Sequence, residues 1–248
     1  TLFRSSLCLD AARQASLEAG TILKSKFQQT QKLVINSGRD IKLEIDLNIE
    51  QNIKEELKNF GFGFLGEESG LDRQKASEYF WVVDPLDGTS NYFRNIPICA
   101  NSIALMDSSL KVHVAVVNNF LEDKLFYASA NRGSFCNDQP LSVSSISAKS
   151  EATLMTGIPA KSSYLDSEFK EMIQTFQDWK KVRMIGSAAI AGAWVAQGLA
   201  DSYKENGIFL WDVAATMLLV KEAGGKASIS KVSEDMRLDA EFSNGNFA

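Results

Sequence analysis

The chain has 248 residues, 45% of them hydrophobic and 23% charged, the balance of a soluble globular protein of one or two domains with room for a sizeable core. Its formal net charge of −5 leaves no basic footprint for nucleic acid or an anionic membrane, and no apolar run approaches the roughly 18–20 residues of a membrane span. A single histidine, His113, and three scattered cysteines, Cys8, Cys99 and Cys136, exclude multi-histidine zinc sites, histidine phosphatases and a disulfide framework. The cysteines read as small apolar residues in or near the core and fit a reducing cytoplasm. Any bound metal is then held mainly by oxygen, which favours Mg2+ or Mn2+ over zinc or copper. The opening Thr1-Leu2-Phe3-Arg4-Ser5 has no secretory apolar region, and the missing Met suggests a trimmed start.

From Ser6 to Phe27, Leu7, Ala11, Ala15, Ala19, Ile22 and Leu23 recur at helical spacing, predicting an amphipathic first helix. Lys32 to Ile35 reads as a short strand ended by the turn signal Asn36-Ser37-Gly38. Asp46 through Leu57 predicts a second amphipathic helix on Leu47, Ile49, Ile53 and Leu57. Phe64-Leu65 is a brief strand that delivers Glu67 through a glycine-rich connection, with Gly61, Gly63, Gly66 and Gly70.

The most informative stretch is Phe80-Trp81-Val82-Val83-Asp84-Pro85-Leu86-Asp87-Gly88-Thr89. A short, non-alternating apolar run predicts a buried strand, and it opens into two carboxylates where sites on α/β proteins form. Such a pair would repel unless a cation or proton sat between its members. Pro85, without an N–H, is expected to stop the pairing. Gly88 allows a close turn, and Thr89, Ser90 or Asn91 could cap a following helix whose free N–H groups face an anion.

Strands at 102–106, 112–117 and 124–128 then predict an antiparallel meander, followed by a turn and short strand over Arg132–Asp138. The single histidine falls in the second of these and reads as structural. Serine-rich 142–151 marks a boundary between halves, 1–141 and 142–248. Beyond it come a strand end at 152–157, a helix carrying Phe169, Met172, Ile173 and Phe176, and an alanine-rich helix from Ala188 to Leu199. A short strand at 200–203 leads to Lys204-Glu205-Asn206-Gly207, and a last helix, Trp211 to Ala223, ends at Gly224-Gly225.

Taken together, Glu67-Glu68-Ser69, Trp81-Val82-Val83-Asp84-Pro85-Leu86-Asp87-Gly88-Thr89 and Trp211-Asp212-Val213-Ala214-Ala215 resemble, in order and spacing, the inositol monophosphatase family of Mg-dependent, lithium-sensitive phosphomonoesterases. The resemblance covers nearly the whole chain. It implies a layered α/β fold, a sugar-phosphatase-like five-layer αβαβα sandwich with metals between the halves. It also implies two or three Mg2+ ions, Mn2+ being possible.

By the same resemblance, Glu67, Asp84 and the Leu86 carbonyl hold a first ion, and Asp84 bridges to a second held also by Asp87 and Asp212. Glu67 and Thr89 orient and deprotonate the attacking water, while the N–H groups of Gly88 and Thr89 hold phosphate oxygens. Gly186, Ser187 and Ala188 line the substrate side, and Glu205 hydrogen-bonds substrate hydroxyls. Two of these positions have plain alternatives, Ser187 as a helix cap and Glu205 as an exposed loop acid. Glu68 is expected nearer solvent than Glu67.

The family's Asp-x-x-Thr-x-x-Asp pattern reads Asp40-Ile41-Lys42-Leu43-Glu44-Ile45-Asp46, with Leu43 at the threonine position and Ile35 where a lysine is usual. Asp46 either stands beside the metals or caps its helix. Asp87-Gly88-Thr89 also echoes the nucleophile motif of haloacid-dehalogenase-like phosphatases. Here, though, two residues rather than one separate Asp84 from Asp87, and the motif comes late in the chain.

The implied substrate is a small phosphate monoester, foremost myo-inositol monophosphate, with fructose 1,6-bisphosphate, histidinol phosphate and 3′-phosphoadenosine 5′-phosphate as alternatives. A catalytically silent scaffold on the same fold is the reading from a different class. A cytoplasmic homodimer, without nucleic-acid or membrane partners, completes the expectation.

Overall fold

The computed structural model describes residues 2–37, 40–72, 77–158 and 166–247; Gly38 of the predicted turn and Thr1 lie outside them. The first half contributes helices α1 (Leu2–Lys26), α2 (Glu44–Leu57) and α3 (Thr89–Phe93). Its strands are β1 (Leu33–Ser37), β2 (Asp40–Leu43), β3 (Gly63–Gly66), β4 (Gly70–Asp72), β5 (Tyr79–Asp87), β6 (Ala100–Asp107), β7 (Val112–Asn119), β8 (Lys124–Ser129), β9 (Ser134–Cys136) and β10 (Gln139–Pro140). The second half contributes β11 (Thr153–Thr156), α4 (Asp166–Gln177), β12 (Lys181–Met184), α5 (Ala188–Ala196), β13 (Ser202–Phe209), α6 (Leu210–Glu222), β14 (Lys226–Ile229) and β15 (Arg237–Ser243).

Strands β3 to β10 form an eight-stranded sheet in the order β10-β9-β8-β7-β6-β5-β3-β4, and β11 to β15 a five-stranded sheet in the order β12-β11-β13-β15-β14. Successive strand residues face opposite sides of a sheet. Along β6, Ile103 and Leu105 join an apolar cluster with α1 and α2, whereas Ala104 and Met106 join the cluster that includes α5, α6 and the second sheet. Both faces of the large sheet are therefore buried, which is why β5 reads as a continuous apolar run rather than an alternating one. Helix α6 packs on β5 to β9 from one side and on β13 to β15 from the other.

Helix α4 completes the layering by handedness. Strand β12 lies beside β11 and parallel to it, while the return to β13 passes over β11 in the opposite direction. Right-handed crossovers running opposite ways put their helices on opposite faces. With α5 on the inner face, α4 is on the outer one. The result is the layered α/β architecture, helix–sheet–helix–sheet–helix.

Some expectations change. The buried face of α1 is Cys8, Ala12, Ala15, Ala19 and Leu23, while Leu7 and Ile22 sit about a quarter-turn off that line and are exposed. Gly20 belongs to the close approach: a Cβ there would lie 2.4 Å from Asn118 Nδ2 on β7. On α2, Leu47 is exposed, and the buried stripe of Asp46, Ile49, Glu50, Ile53 and Leu57 carries two acids.

Pairing does not stop at Pro85. Asp84 pairs with Ser102, an irregularity takes up Pro85 and Leu86, and pairing resumes between Asp87 and Ala100. The proline's missing N–H falls inside the bulge, where no ladder bond is needed. The strand expected over 200–203 extends through Phe209, and two unanticipated strands follow α6. Of these, β15 carries a legible signal, since Leu238, Ala240 and Phe242 alternate as buried residues.

Candidate active site

Four acids come to one cleft from three places in the fold. Strand β3 runs parallel to β5 with Gly66 opposite Val83, so Glu67, one residue on, emerges beside Asp84. The Glu67 N–H donates to the Val83 carbonyl at 3.1 Å and fixes that register past the strand end. The bulge turns β5 so that Asp84 and Asp87 both reach the cleft, and the Leu86 N–H donates to Asp84 Oδ1 at 3.0 Å. Asp212 enters from the first turn of α6, where its Oδ2 accepts the Phe209 N–H at 3.2 Å.

The cleft encloses about 220 Å3 and is lined by Glu67, Asp84, Leu86, Asp87, Gly88, Thr89, Gly186, Ser187, Ala188, Glu205 and Asp212 from the sequence-predicted set. Thr156, Gly157, Ile158, Tyr203 and Ile208 line it as well. Asp46 is not among the lining residues. It is buried, and its Oδ2 accepts the Leu43 N–H at 2.8 Å, so the structure favours the capping alternative over a place in the cleft. Leu43 has no side-chain acceptor to return, so this is half of a reciprocal capping box.

Gly88 adopts φ 87°, and a Cβ there would stand 2.8 Å from the Ile98 carbonyl oxygen, so both backbone conformation and close approach call for glycine. Gly88 itself is the N-cap of α3; none of Thr89, Ser90 or Asn91 caps it with a side chain. Thr89 and Asn91 are engaged elsewhere. Thr89 Oγ1 donates to the Leu86 carbonyl at 2.9 Å. Asn91 Nδ2 donates to the carbonyls of Ile98 and Ile185, both at 2.8 Å, tying the β5–α3 turn to the loop before α5.

Asp87 does two things that sequence distance conceals. It faces the cleft, and it also receives the N-terminus of α5: Ser187 Oγ and the Ala189 N–H (2.9 Å) donate to its Oδ2, and the Ala188 N–H (3.2 Å) to its Oδ1. Ser187 Oγ in turn accepts the Ile190 N–H at 3.2 Å, so Ser187 is the α5 cap. A carboxylate suits the positive end of a helix, and here it ties the start of α5 to the end of β5.

Glu205 is not an exposed loop acid. It lies within β13, is 8% exposed, and accepts the Tyr203 hydroxyl at 3.0 Å on Oε2. Gly157 makes room for it, since a Cβ at that position would lie 2.3 Å from Glu205 Oε2. Glu67 and Glu68 are both half-buried, and the Glu68 side chain, 5% exposed, pairs with Lys42 Nζ at 3.1 Å. Tyr203, Asn91 and Gly157 were not predicted from the sequence. The alternation of buried Tyr203 with Glu205 along a strand was the one local signal available.

The electrostatics of the cleft are strained without a cation. Burial, followed by repulsion from Glu67, Asp87 and Asp212, pushes Asp84 well above the usual carboxylate range. Asp212 moves the same way through burial and then Glu67, Asp87 and Glu205. Burial and Glu68 push Glu67 up to about 7, although its residue is half-buried at the cleft wall. Asp87 rises only to about 6, because the bonds from Ser187, Ala189 and Ala188 oppose the cost of burial. Burial likewise takes Glu205 to about 7.

A concentration of carboxylates that resist ionising is the donor set a hard divalent cation relieves. Among the described residues, no three His, Cys, Asp or Glu side chains form a ready-made metal cage; the acids line the walls of the cleft instead.

A layered α/β fold with a cleft rich in carboxylate oxygens suits cation-assisted handling of an anionic group such as phosphate. The model of the inositol monophosphatase family matches residues 6–238. The chain is 38% identical over 231 residues to the Nus factor SuhB of Xylella fastidiosa, 91% of this chain and 83% of that one. It is 34% identical over 248 residues to the inositol-1-monophosphatase of Mesorhizobium japonicum, covering 98% and 92% of the two chains. The solved inositol monophosphatase of Anabaena (Nostoc) sp. superposes with a TM-score of 0.84 at 31% identity, over 99% of this chain and 93% of that one. The chain belongs to the inositol monophosphatase family, whose enzymes are phosphoric monoester hydrolases. Among the described residues, no helix is long and apolar enough to cross a membrane.

Proposed function

We propose that this chain hydrolyses a small phosphate monoester with Mg2+, and that myo-inositol monophosphate is the substrate it handles best. The observation that carries the reading is the convergence of Glu67, Asp84, Asp87, Asp212 and Glu205 on one cleft. Glu67, Asp84, the Leu86 carbonyl, Asp87 and Asp212 would hold the cations. When bound, Mg2+ neutralises the phosphate charge, stabilises the leaving oxygen and acidifies water.

The protein's own groups then divide the work. The Thr89 hydroxyl donates its hydrogen bond to the Leu86 carbonyl, which leaves the Thr89 oxygen lone pairs free to orient an attacking water. Glu67 takes that water's proton, and the N–H groups of Gly88 and Thr89 bind the phosphate oxygens. Glu205, held by Tyr203, accepts hydroxyl protons at the far end of the substrate and selects for a polyol. Water adds to phosphorus as its proton passes to Glu67, the ester P–O bond breaks, the leaving alkoxide takes a proton from solvent water, and Glu67 returns its own to solvent as alcohol and inorganic phosphate depart.

The test is phosphate release from inositol monophosphate, fructose 1,6-bisphosphate, histidinol phosphate and 3′-phosphoadenosine 5′-phosphate, with and without Mg2+ and with added Li+. Mg-dependent, Li-sensitive release, fastest from inositol monophosphate, is expected. Preference for another substrate would keep the chemistry and replace the substrate. No release from any of them would overturn the reading and bring the silent scaffold forward.

A second reading, service as a Nus factor, is favoured by the 38% identity to the Xylella fastidiosa relative of that name. An Asp84→Asn variant separates the two, because it should abolish hydrolysis while sparing a role that does not use the cleft.

A further inference from the structure

The turn that carries Glu67 is held from behind by a residue with no place in the cleft. Strands β3 and β4 are joined at Gly66 and Gly70, which pair across the sheet, leaving Glu67, Glu68 and Ser69 as a tight connection. The Glu67 N–H is satisfied by β5. The next two N–H groups point the other way, toward α2, and both meet Glu50. Its Oε2 accepts the Glu68 N–H and its Oε1 the Ser69 N–H, each at 2.8 Å.

Glu50 is 4% exposed, one helical turn beyond Asp46 and on the same buried stripe. Gly66 belongs to the same device, because a Cβ there would fall 2.3 Å from Glu50 Oε2 and 2.6 Å from Oε1. The carboxylate thus lies directly against the Cα that precedes Glu67.

We propose that Glu50 is a positioning residue for Glu67, clamping the turn through two backbone N–H groups so that Glu67 meets the cation at a fixed angle; this rests on the reading of the cleft given above. Only a carboxylate fits. Two oxygens accept two N–H groups in charge-assisted bonds. Glutamine would keep one oxygen and set an NH2 group against the second N–H, a donor facing a donor. Groups that orient a metal ligand are commonly worth about 10–100-fold in metal affinity.

The experiment is calorimetric titration of the folded, metal-free protein with MgCl2, together with amide hydrogen exchange over residues 64–70. In the wild type the Glu68 and Ser69 amides are expected to exchange slowly, despite lying in a connection. Glu50→Gln is expected to speed them and to weaken Mg2+ binding by about 10–100-fold. In turnover, the Mg2+ concentration for half-maximal rate should rise by a similar factor, while kcat at saturating Mg2+ changes only a few-fold.

Gly66→Ala pushes the same carboxylate away from the opposite side. It should reproduce both effects, and the double variant should be no worse than either single one. Glu55→Gln, on the exposed face of α2, should match the wild type.

Wild-type Mg2+ affinity in folded Glu50→Gln would overturn the proposal. So would fast wild-type exchange at Glu68 and Ser69, a result that needs no variant to fold. A wild type that binds Mg2+ but releases no phosphate would sink the substrate reading while leaving the clamp to be judged on affinity and exchange. A wild type that binds no Mg2+ would remove the cleft reading and the clamp together.

Discussion

Helices α2 and α6 begin alike. Each follows a strand directly, each has an apolar N-cap, Leu43 or Phe209, and each sets an aspartate at its third position that accepts the N-cap N–H. From there they diverge. Asp212 lines the cleft with the other acids, whereas Asp46 is buried outside its lining and, among the described residues, keeps Oδ1 without a hydrogen-bond partner. Both carboxylates are raised above their usual range, first by burial. The groups that add to this differ: Glu67, Asp87 and Glu205 act on Asp212, and Glu67 and Glu68 on Asp46. One local device serves two purposes, and the strand delivering the helix decides which. Strand β13 sends α6 into the space between the sheets, while the β1–β2 hairpin sends α2 along the outer face of the large sheet.

The sharpest test of this comparison substitutes the two aspartates in parallel. Asparagine keeps an acceptor for the N-cap N–H and removes the charge. Asp212→Asn is expected to lower the phosphatase rate by about 10^2–10^3 or more, the scale of losing one charge-stabilising group from an active site. Asp46→Asn should cost roughly tenfold or less, in line with a residue that acts through others.

The metal-free proteins should show the opposite ranking in gain. Relieving like-charge repulsion in the cleft should raise the Tm of Asp212→Asn by at least about 2 °C, since 1 kcal/mol moves a domain of this size by about 2–4 °C. Equal losses of rate in the two variants would erase the distinction between the helices.

The substrate end of the cleft yields a smaller effect. Tyr203→Phe removes the hydroxyl that donates to Glu205 and leaves that buried acid with one donor fewer. A lost hydrogen bond to a charged group is worth about 1.5–3 kcal/mol. The expected result is a KM for inositol monophosphate raised about tenfold, with kcat changed only a few-fold. A kcat loss at unchanged KM would mean that Glu205 serves the reacting phosphate instead.

Ser187→Ala tests the junction of the halves. It removes the α5 cap and one of the donors to Asp87, so thermal unfolding should show a loss of about 1 kcal/mol or slightly more. An unchanged Tm would mean that the Ala188 and Ala189 N–H groups alone carry the junction.

How much of this was legible depended on how far apart the partners lie in sequence. Glu67, Asp84, Asp87 and Asp212 stand out because each acid interrupts an apolar run, a local contrast visible without any fold. The layered architecture came from the family resemblance that those motifs carry, because the apolar patterns show single strands and helices but not how they stack. Partnerships across the chain had no such signal.

Asp87 as the acceptor for α5 joins residues about 100 apart, Asn91 reaches Ile185, and Glu50 holds a turn on another element. The loop-acid alternative for Glu205 stayed open because the local strand was expected to end at Tyr203, before Lys204-Glu205-Asn206-Gly207. The chain instead absorbs those residues as an irregularity between Glu205 and Ile208 while β13 continues beside β15. The exposed Leu7, Ile22 and Leu47 show the complementary error, since a helix supplies more apolar residues than its buried stripe uses.

The last test returns to α2. Burial raises Asp46 from 3.8 to about 8 in the folded protein. A carboxyl that is harder to ionise when folded adds stability fully at pH below its unfolded value. That contribution drains away as pH rises, and it is gone above about 8. Between pH 4 and 8 the metal-free wild type should therefore lose Tm steadily as the unfolded chain gives up a proton that folded Asp46 retains.

Asp46→Asn removes that titration, so its Tm should fall less over the same window, the two curves separating most near pH 8. Buffers without divalent cations are essential, because ions in the cleft would change the neighbouring acids at the same time. Parallel curves would mean that Asp46 ionises in the fold as it does in the open chain. The buried Oδ1 would then need a polar neighbour that the described residues do not supply.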